Sequence, residues 1–288
     1  MPFAPVNGIE IHYREFGAGQ PLVLAHGLAC GWRMWWPQIE RFRQRYRVIA
    51  YDLRGHGKSG APDDAQAYSP AHLTQDLIGL LDHLRIERAH VVGFSMGGGP
   101  ALGLALAQPA RVDRLVLADI GSGADNPWAS RRLGEVWIGF AQSGGMTAMA
   151  DNMLLSEFFK TYARRSKRTR RHIHALISQH PLHGMCHILA AIVMRRKPLF
   201  RMRGTLGRVS VPTLVLTGEH DYVCHKSARL LMSEIPRAVE ARVPGAGHLT
   251  PLEEPDGFHD AIEAFLSKSR SRKLRFRSKL LFGSSGGA

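Results

Sequence analysis

Apolar positions along the chain repeat at two spacings. Ile9–Phe16 alternates apolar and polar residues with a period of two, which predicts a half-exposed strand. The short apolar runs Pro21–Ala25 (PLVLA) and Arg47–Tyr51 (RVIAY) predict buried strands. Ser69–Leu84 has its apolar residues at helical spacing, with Ser69 placed to cap the helix and Pro70 in its first turn. Strand His90–Phe94, helix Met96–Gln108 and strand Arg114–Asp119 follow. Further on come strand Thr213–Thr217, helix Ser227–Ile235, strand Ala238–Val243 and helix Asp256–Ser267. Strands alternating with helices predict an α/β fold, a mostly parallel central sheet with helices on both faces.

Between Ser122 and Thr205 the alternation stops. Helical patterns continue without a clear strand, so this stretch is expected to form a cap over one end of the sheet. The organisation expected is a core from residues 1–121 and 206–266, a helical cap from 122–205 and a basic tail from 267–288. Charge follows the same division. The net charge is +14. The cap segment carries 14 Lys and Arg against 4 Asp and Glu, and the tail 7 against none, so the core frame is close to neutral. A scaffold with two basic additions is not the pattern of a protein built throughout to bind nucleic acid.

Three widely spaced cysteines, Cys30, Cys186 and Cys224, form neither a disulfide framework nor a zinc motif. A cytoplasmic, reducing location is expected. The first residues lack the pattern of a signal peptide, and no apolar run approaches the roughly 20 residues of a membrane span.

Gly93-Phe94-Ser95-Met96-Gly97 lies between a predicted strand and a predicted helix. A serine there sits on a turn so sharp that small residues are needed two before and two after it. Its hydroxyl stands clear of the sheet at the positive end of the helix. A serine hydroxyl needs a base, and His248, in Gly245-Ala246-Gly247-His248-Leu249 after the last predicted strand, is the best placed of 15 histidines. The imidazole needs an anion on its other nitrogen. Asp221, just past a strand end, is the first choice for it and Glu219 the second. The oxyanion needs two N–H donors, expected from the backbone of Met96 and of Leu28 in the loop His26-Gly27-Leu28-Ala29. His26 and Asp52 are read as structural.

His-Gly followed by an apolar residue, then DLRGHGKS, GFSMGG, GEHD and GAGHL, in this order, resemble the α/β-hydrolase superfamily in its serine-nucleophile branch, over about Ile9 to Leu266 apart from the cap. The resemblance implies the α/β-hydrolase fold and a carboxylesterase-like activity through an acyl-enzyme intermediate on a small-molecule ester. It implies no cofactor and no metal. It leaves open a carbon–carbon bond hydrolase, an enol-lactonase, or a slow-turnover ligand receptor on the same fold. Serine at position 95 argues against the members with an aspartate nucleophile.

Three further features have bland readings. His180, His183 and His187 are spaced to share a helix face, and cap surface or pocket lining is expected rather than a metal site. Arg164–Arg171 is read as the solvated face of a cap helix. Trp32, Trp35, Trp36, Trp128 and Trp137 are candidates for the pocket wall or for ordinary packing. The tail interleaves Lys268, Arg270, Arg272, Lys273, Arg275, Arg277 and Lys279 with Leu and Phe. Two readings stay open for it, a solvated tail or a weak contact with an anionic membrane.

Overall fold

The computed structural model describes residues 2–121 and 126–267. The chain runs β1 (Phe3–Val6), β2 (Ile9–Phe16), β3 (Gln20–Ala25), a 3-10 turn at Trp32–Trp35, α1 (Trp36–Phe42), β4 (Tyr46–Tyr51), α2 (Pro70–His83), β5 (Ala89–Phe94), α3 (Gly98–Ala107) and β6 (Val112–Ala118). Five helices follow: α4 (Pro127–Met153), α5 (Lys160–Arg164), α6 (Lys167–Ser178), α7 (Leu182–Ile188) and α8 (Arg203–Leu206). The sheet then resumes with β7 (Thr213–Gly218), α9 (Tyr222–Glu234), β8 (Ala238–Val243), the short α10 (Thr250–Glu253) and α11 (Pro255–Leu266).

The eight strands lie in the order β1-β2-β4-β3-β5-β6-β7-β8. β2 is antiparallel to both its neighbours, and every pairing from β4 to β8 is parallel. The central strands read as unbroken apolar runs because both faces are covered. The period of two survives in what each residue touches. Leu22, Leu24, Val48, Ala50, Val92 and Phe94 enter the core with Trp35, Phe42 and Phe258. Val23, Ile49 and Val91 enter the opposite core with Leu73, Leu77 and Leu104 of α2 and α3.

The sequence places most elements within a residue or two. Ser69 caps α2 by accepting from the His72 N–H at 3.1 Å. Two differences bear on function. α9 begins at Tyr222, five residues before the helix the pattern suggests, because its first turn, Tyr-Val-Cys-His, has no apolar stripe at helical spacing. β1 is too short to show a period and is held by pairing with β2.

The insert between β6 and β7 consists of helices joined by turns, with no strand among its described residues. α4 breaks at Gly144–Gly145, where Gly145 takes φ 70. α7 continues into a π turn at Leu189–Val193, with the Met194 N–H donating to the Leu189 carbonyl at 2.9 Å. Such turns rotate the following residues relative to an α-helix. Arg164–Arg171 is not one helix face. It straddles the break between α5 and α6, where Ser166 caps α6, and its basic side chains are exposed. Of the three histidines His183 is exposed, as expected of cap surface, while His180 is buried and His187 half-buried, and none of them lines the pocket. They join the insert to the segment 56–68. His180 Nδ1 accepts from the Gly57 N–H at 2.8 Å, His183 Nε2 lies 2.7 Å from the Ala61 carbonyl, and His187 packs on Tyr68. No helix among the described residues is long and apolar enough to cross a membrane. The basic tail expected over 267–288 lies, from residue 268 onward, outside the described residues.

Candidate active site

Ser95 follows β5 directly and takes φ 50. A side chain at Gly93 would meet the Gly97 carbonyl at 2.6 Å, and one at Gly97 would meet the Ala25 carbonyl at 2.3 Å. The two glycines therefore permit the turn that holds Ser95 in this strained conformation. Three of the five non-glycine residues with positive φ, Ala29, Ser95 and Asp119, surround this point.

The loops after β7 and β8 bring Asp221 and His248 to the same end of the sheet. His248 Nε2 lies 3.1 Å from Ser95 Oγ, and His248 Nδ1 lies 2.9 Å from Asp221 Oδ2. Asp221 and His248 are buried, and Ser95 is partly open to the cavity. Burial pushes the Asp221 carboxyl up, but the charge and hydrogen bond of His248 outweigh it and hold Asp221 below the usual carboxylate range. Glu219 does not reach the imidazole. Its Oε2 accepts from the Gly245 N–H at 2.9 Å on the exposed side of the loop.

The His26–Ala29 loop lies against the serine. A side chain at Gly27 would meet the Phe94 ring at 2.8 Å and Ser95 Cβ at 3.2 Å. No acceptor among the described residues takes the Leu28 N–H. Met96, next to Ser95, starts the turn into α3. Three histidines in a row brace this loop. His26 Nε2 accepts from the Leu53 N–H at 2.9 Å, and His56 Nε2 accepts from the Ala29 N–H at 3.2 Å. The His26, His56 and His180 rings meet edge to face, with centroids 5.0 Å apart at both contacts. Burial lowers all three, His180 to about 4, so each keeps a ring nitrogen free to accept. Asp52 is structural too, accepting from the Trp32 N–H at 2.9 Å and pairing with His12 at 2.8 Å.

A cavity of about 210 Å3 opens on Ser95 and His248. Leu28, Phe94 and Leu249 form its floor, and Leu133, Trp137, Phe158 and Val193 of the insert close it. Of the five tryptophans only Trp137 lines it. Trp32 and Trp35 pack inside, and Trp36 and Trp128 are exposed. Phe158 and Phe94 hold the His248 ring at centroid distances of 5.0 and 5.5 Å. Arg196, just past the π turn, brings a cation to the wall.

Sequence reasoning did not single out Arg196, Phe158, Asp119, Cys224 or Glu253. Each lacks a motif of its own and reaches the site only through the fold. Asp221, Cys224 and His248 bring three potential donor atoms within 4.8 Å of one another. They are hydrogen-bonded among themselves and to Asp119, with Cys224 Sγ 3.7 Å from His248 Nδ1 and 3.2 Å from the Asp119 carbonyl. The cluster is a hydrogen-bond network continuing the Ser95–His248–Asp221 row.

A parallel sheet flanked by helices, with serine, acid and histidine reached in that chain order, defines a class of protein. The chain belongs to the α/β-hydrolase fold family, whose model matches residues 20–255. It is similar to the enol-lactonase from Burkholderia xenovorans LB400, with a TM-score of 0.81 and 30% identity, covering 93% of this chain and 100% of that one. It is similar to a thermophilic esterase from Thermogutta terrifontis in a malate-bound structure, with a TM-score of 0.80 and 27% identity over 92% and 97% of the two chains. In sequence it is 31% identical over 278 residues to the 2-hydroxymuconate semialdehyde hydrolase of Pseudomonas sp. strain CF600, covering 91% and 92%.

Proposed function

We propose that the protein is a serine hydrolase that transfers an acyl group from a small carboxylic ester to water. The observation that carries this is the row from Ser95 Oγ through His248 to Asp221, at 3.1 and 2.9 Å. Ser95 attacks the carbonyl while His248 Nε2 takes its proton, and Asp221 stabilises the imidazolium. The N–H groups of Leu28 and Met96 receive the oxyanion. His248 then protonates the leaving alcohol, and the same residues run in reverse order with water to release the acid. These steps are those of a hydrolase needing no group beyond the chain's own residues.

A second reading concerns the substrate. The cavity is mainly apolar, and Arg196 adds a cation to its wall. That combination suits an ester or lactone bearing a carboxylate, and the similar enol-lactonase supports the lactone form. The test is a panel of nitrophenyl esters of graded chain length, run beside hemisuccinate esters and an enol-lactone. Ser95→Ala should lower turnover of whichever is hydrolysed by about 10⁶, the cost of losing the nucleophile in a comparable triad. A variant keeping a tenth of wild-type activity would remove Ser95 from the chemistry.

A further inference from the structure

Asp119, the first residue after β6, is fully buried and takes φ 51. Its backbone N–H donates to the Leu216 carbonyl at 2.8 Å, and its Oδ1 accepts from the Gly218 N–H at 2.9 Å. These two bonds aim the carboxyl at the turn after β7, where Asp221 stands. The two carboxyl groups are within hydrogen-bonding reach of each other. One oxygen on each side, Asp119 Oδ2 and Asp221 Oδ1, is buried without a donor. The other oxygens are occupied, Asp119 Oδ1 by Gly218 and Asp221 Oδ2 by His248.

Two buried carboxylates facing each other strongly disfavour double ionisation, and a buried acceptor pair without a proton is costly. Two other protons are near: the Thr250 hydroxyl donates to the Gly247 carbonyl at 2.9 Å and also acts on Asp119, and the Cys224 thiol donates to the Asp119 carbonyl at 3.2 Å and also acts on Asp221. Both weigh less on Asp119 than burial and the facing Asp221 carboxyl. The titratable groups around Asp119 are Asp221 from the turn after β7, Cys224 from α9 and, beyond Asp221, His248 from the loop after β8. Beyond Cys224 lies Arg196 of the insert, a cation whose charge acts on that thiol.

We propose that Asp119 holds a proton at neutral pH and donates it to Asp221 Oδ1, so that the acid of the row is a carboxyl pair sharing one proton and one negative charge. Asp119 is then a positioning residue. It fixes the Asp221 carboxylate in the plane that His248 Nδ1 requires and keeps the pair from carrying two charges. The directions agree with this: burial first and Asp221 second push Asp119 well above the usual carboxylate range, while Asp221 is held below it. The inference rests on the proposed role of the Ser95–His248–Asp221 row, but its main test does not use turnover.

The test compares the full-length protein with Asp119→Asn and Asp119→Ala. Difference infrared spectra of wild type minus Asp119→Asn at pH 7 should show a protonated-carboxyl stretch that shifts in heavy water. Asparagine can donate from its amide to Asp221 and still accept from Gly218. Asp119→Asn should therefore keep at least about a third of kcat, whereas Asp119→Ala should lose about 10- to 100-fold with KM within about 2-fold, an interaction lost from the transition state alone. At alkaline pH the wild type should lose kcat as Asp119 ionises against Asp221, and Asp119→Asn should not. An absent band at pH 7, or Asp119→Asn falling as far as Asp119→Ala, overturns the proposal. The infrared band is read equally in Ser95→Ala, so a wrong nucleophile and a wrong proton are told apart.

Discussion

Glu253 grips the chain on both sides of His248. Its Oε2 accepts from the Gly247 N–H at 2.8 Å and its Oε1 from the Leu249 N–H at 3.1 Å. The side chain is buried, and that burial, working against both hydrogen bonds and Arg165, raises it above the usual glutamate range. Glu253→Gln replaces one acceptor with a donor and leaves a buried N–H facing it. The expected cost is about 1–3 kcal/mol of stability. An accompanying drop in kcat of at least about 10-fold is expected, because the imidazole is aimed by this loop. Urea unfolding and steady-state kinetics check both, and an unchanged kcat would mean that the His248 loop holds its shape without Glu253.

Asp221→Asn should lower kcat by about 10⁴, the loss seen when such an imidazole keeps its place but loses its orienting anion. Glu219→Gln should change it little, since Glu219 meets the Gly245 N–H and the His220 ring on the exposed side of the loop and not His248. Initial rates on one ester rank the two, and the reverse ranking would move the anion to Glu219.

His180 makes stability depend on pH. Its folded value of about 4 lies below the histidine reference of 6.5. The unfolded chain therefore binds the extra proton between these values. Stability from this group is complete above about pH 6.5 and is lost as pH falls toward 4. The loss is about 3 kcal/mol, at 1.36 kcal/mol for each pKa unit. His26 and His56 are displaced in the same direction. Denaturant unfolding at pH 7 and pH 4.5 should show a smaller acid loss in His180→Asn than in the wild type. Equal losses would assign the acid sensitivity elsewhere.

Arg196→Gln separates the two substrate readings. For an ester with a free carboxylate, kcat/KM should fall by about 10- to 100-fold, on the order of one charge-assisted hydrogen bond. For a neutral ester of equal length it should change by less than about 3-fold. Equal effects on both would mean that Arg196 shapes the wall without reading charge.

The core of the fold was legible because each signal was local. β3, β5 and β7 are short apolar runs, α2 announces itself through Ser69 and Pro70, and the turn at Ser95 requires small residues that the sequence displays. Asp221 and His248 were legible because they follow strands at the same end of the sheet. Asp119 also follows a strand, yet it reads as an ordinary polar stop until β6 is seen beside β7. Glu253 is one of two adjacent glutamates, and only the fold shows that it turns inward while Glu254 stays at the surface. The histidines at 180, 183 and 187 have helical spacing, but only His183 and His187 lie in α7, and His180 precedes it.

His180 also limits how freely this molecule can be re-engineered. Its ring belongs to the insert, its bond goes to Gly57 of the core, and it packs edge to face on His56, which holds the N–H of Ala29 beside the serine. The insert and the loop that carries Leu28 are thus two parts of one joint. A chimera that exchanges residues 127–206 for another enzyme's lid changes the pocket wall, and it also takes away one half of that joint. Such a chimera should shift the Leu28 N–H, the proposed oxyanion donor, and lose rate even on substrates that fit its new wall, unless an acceptor is restored where His180 Nδ1 stood.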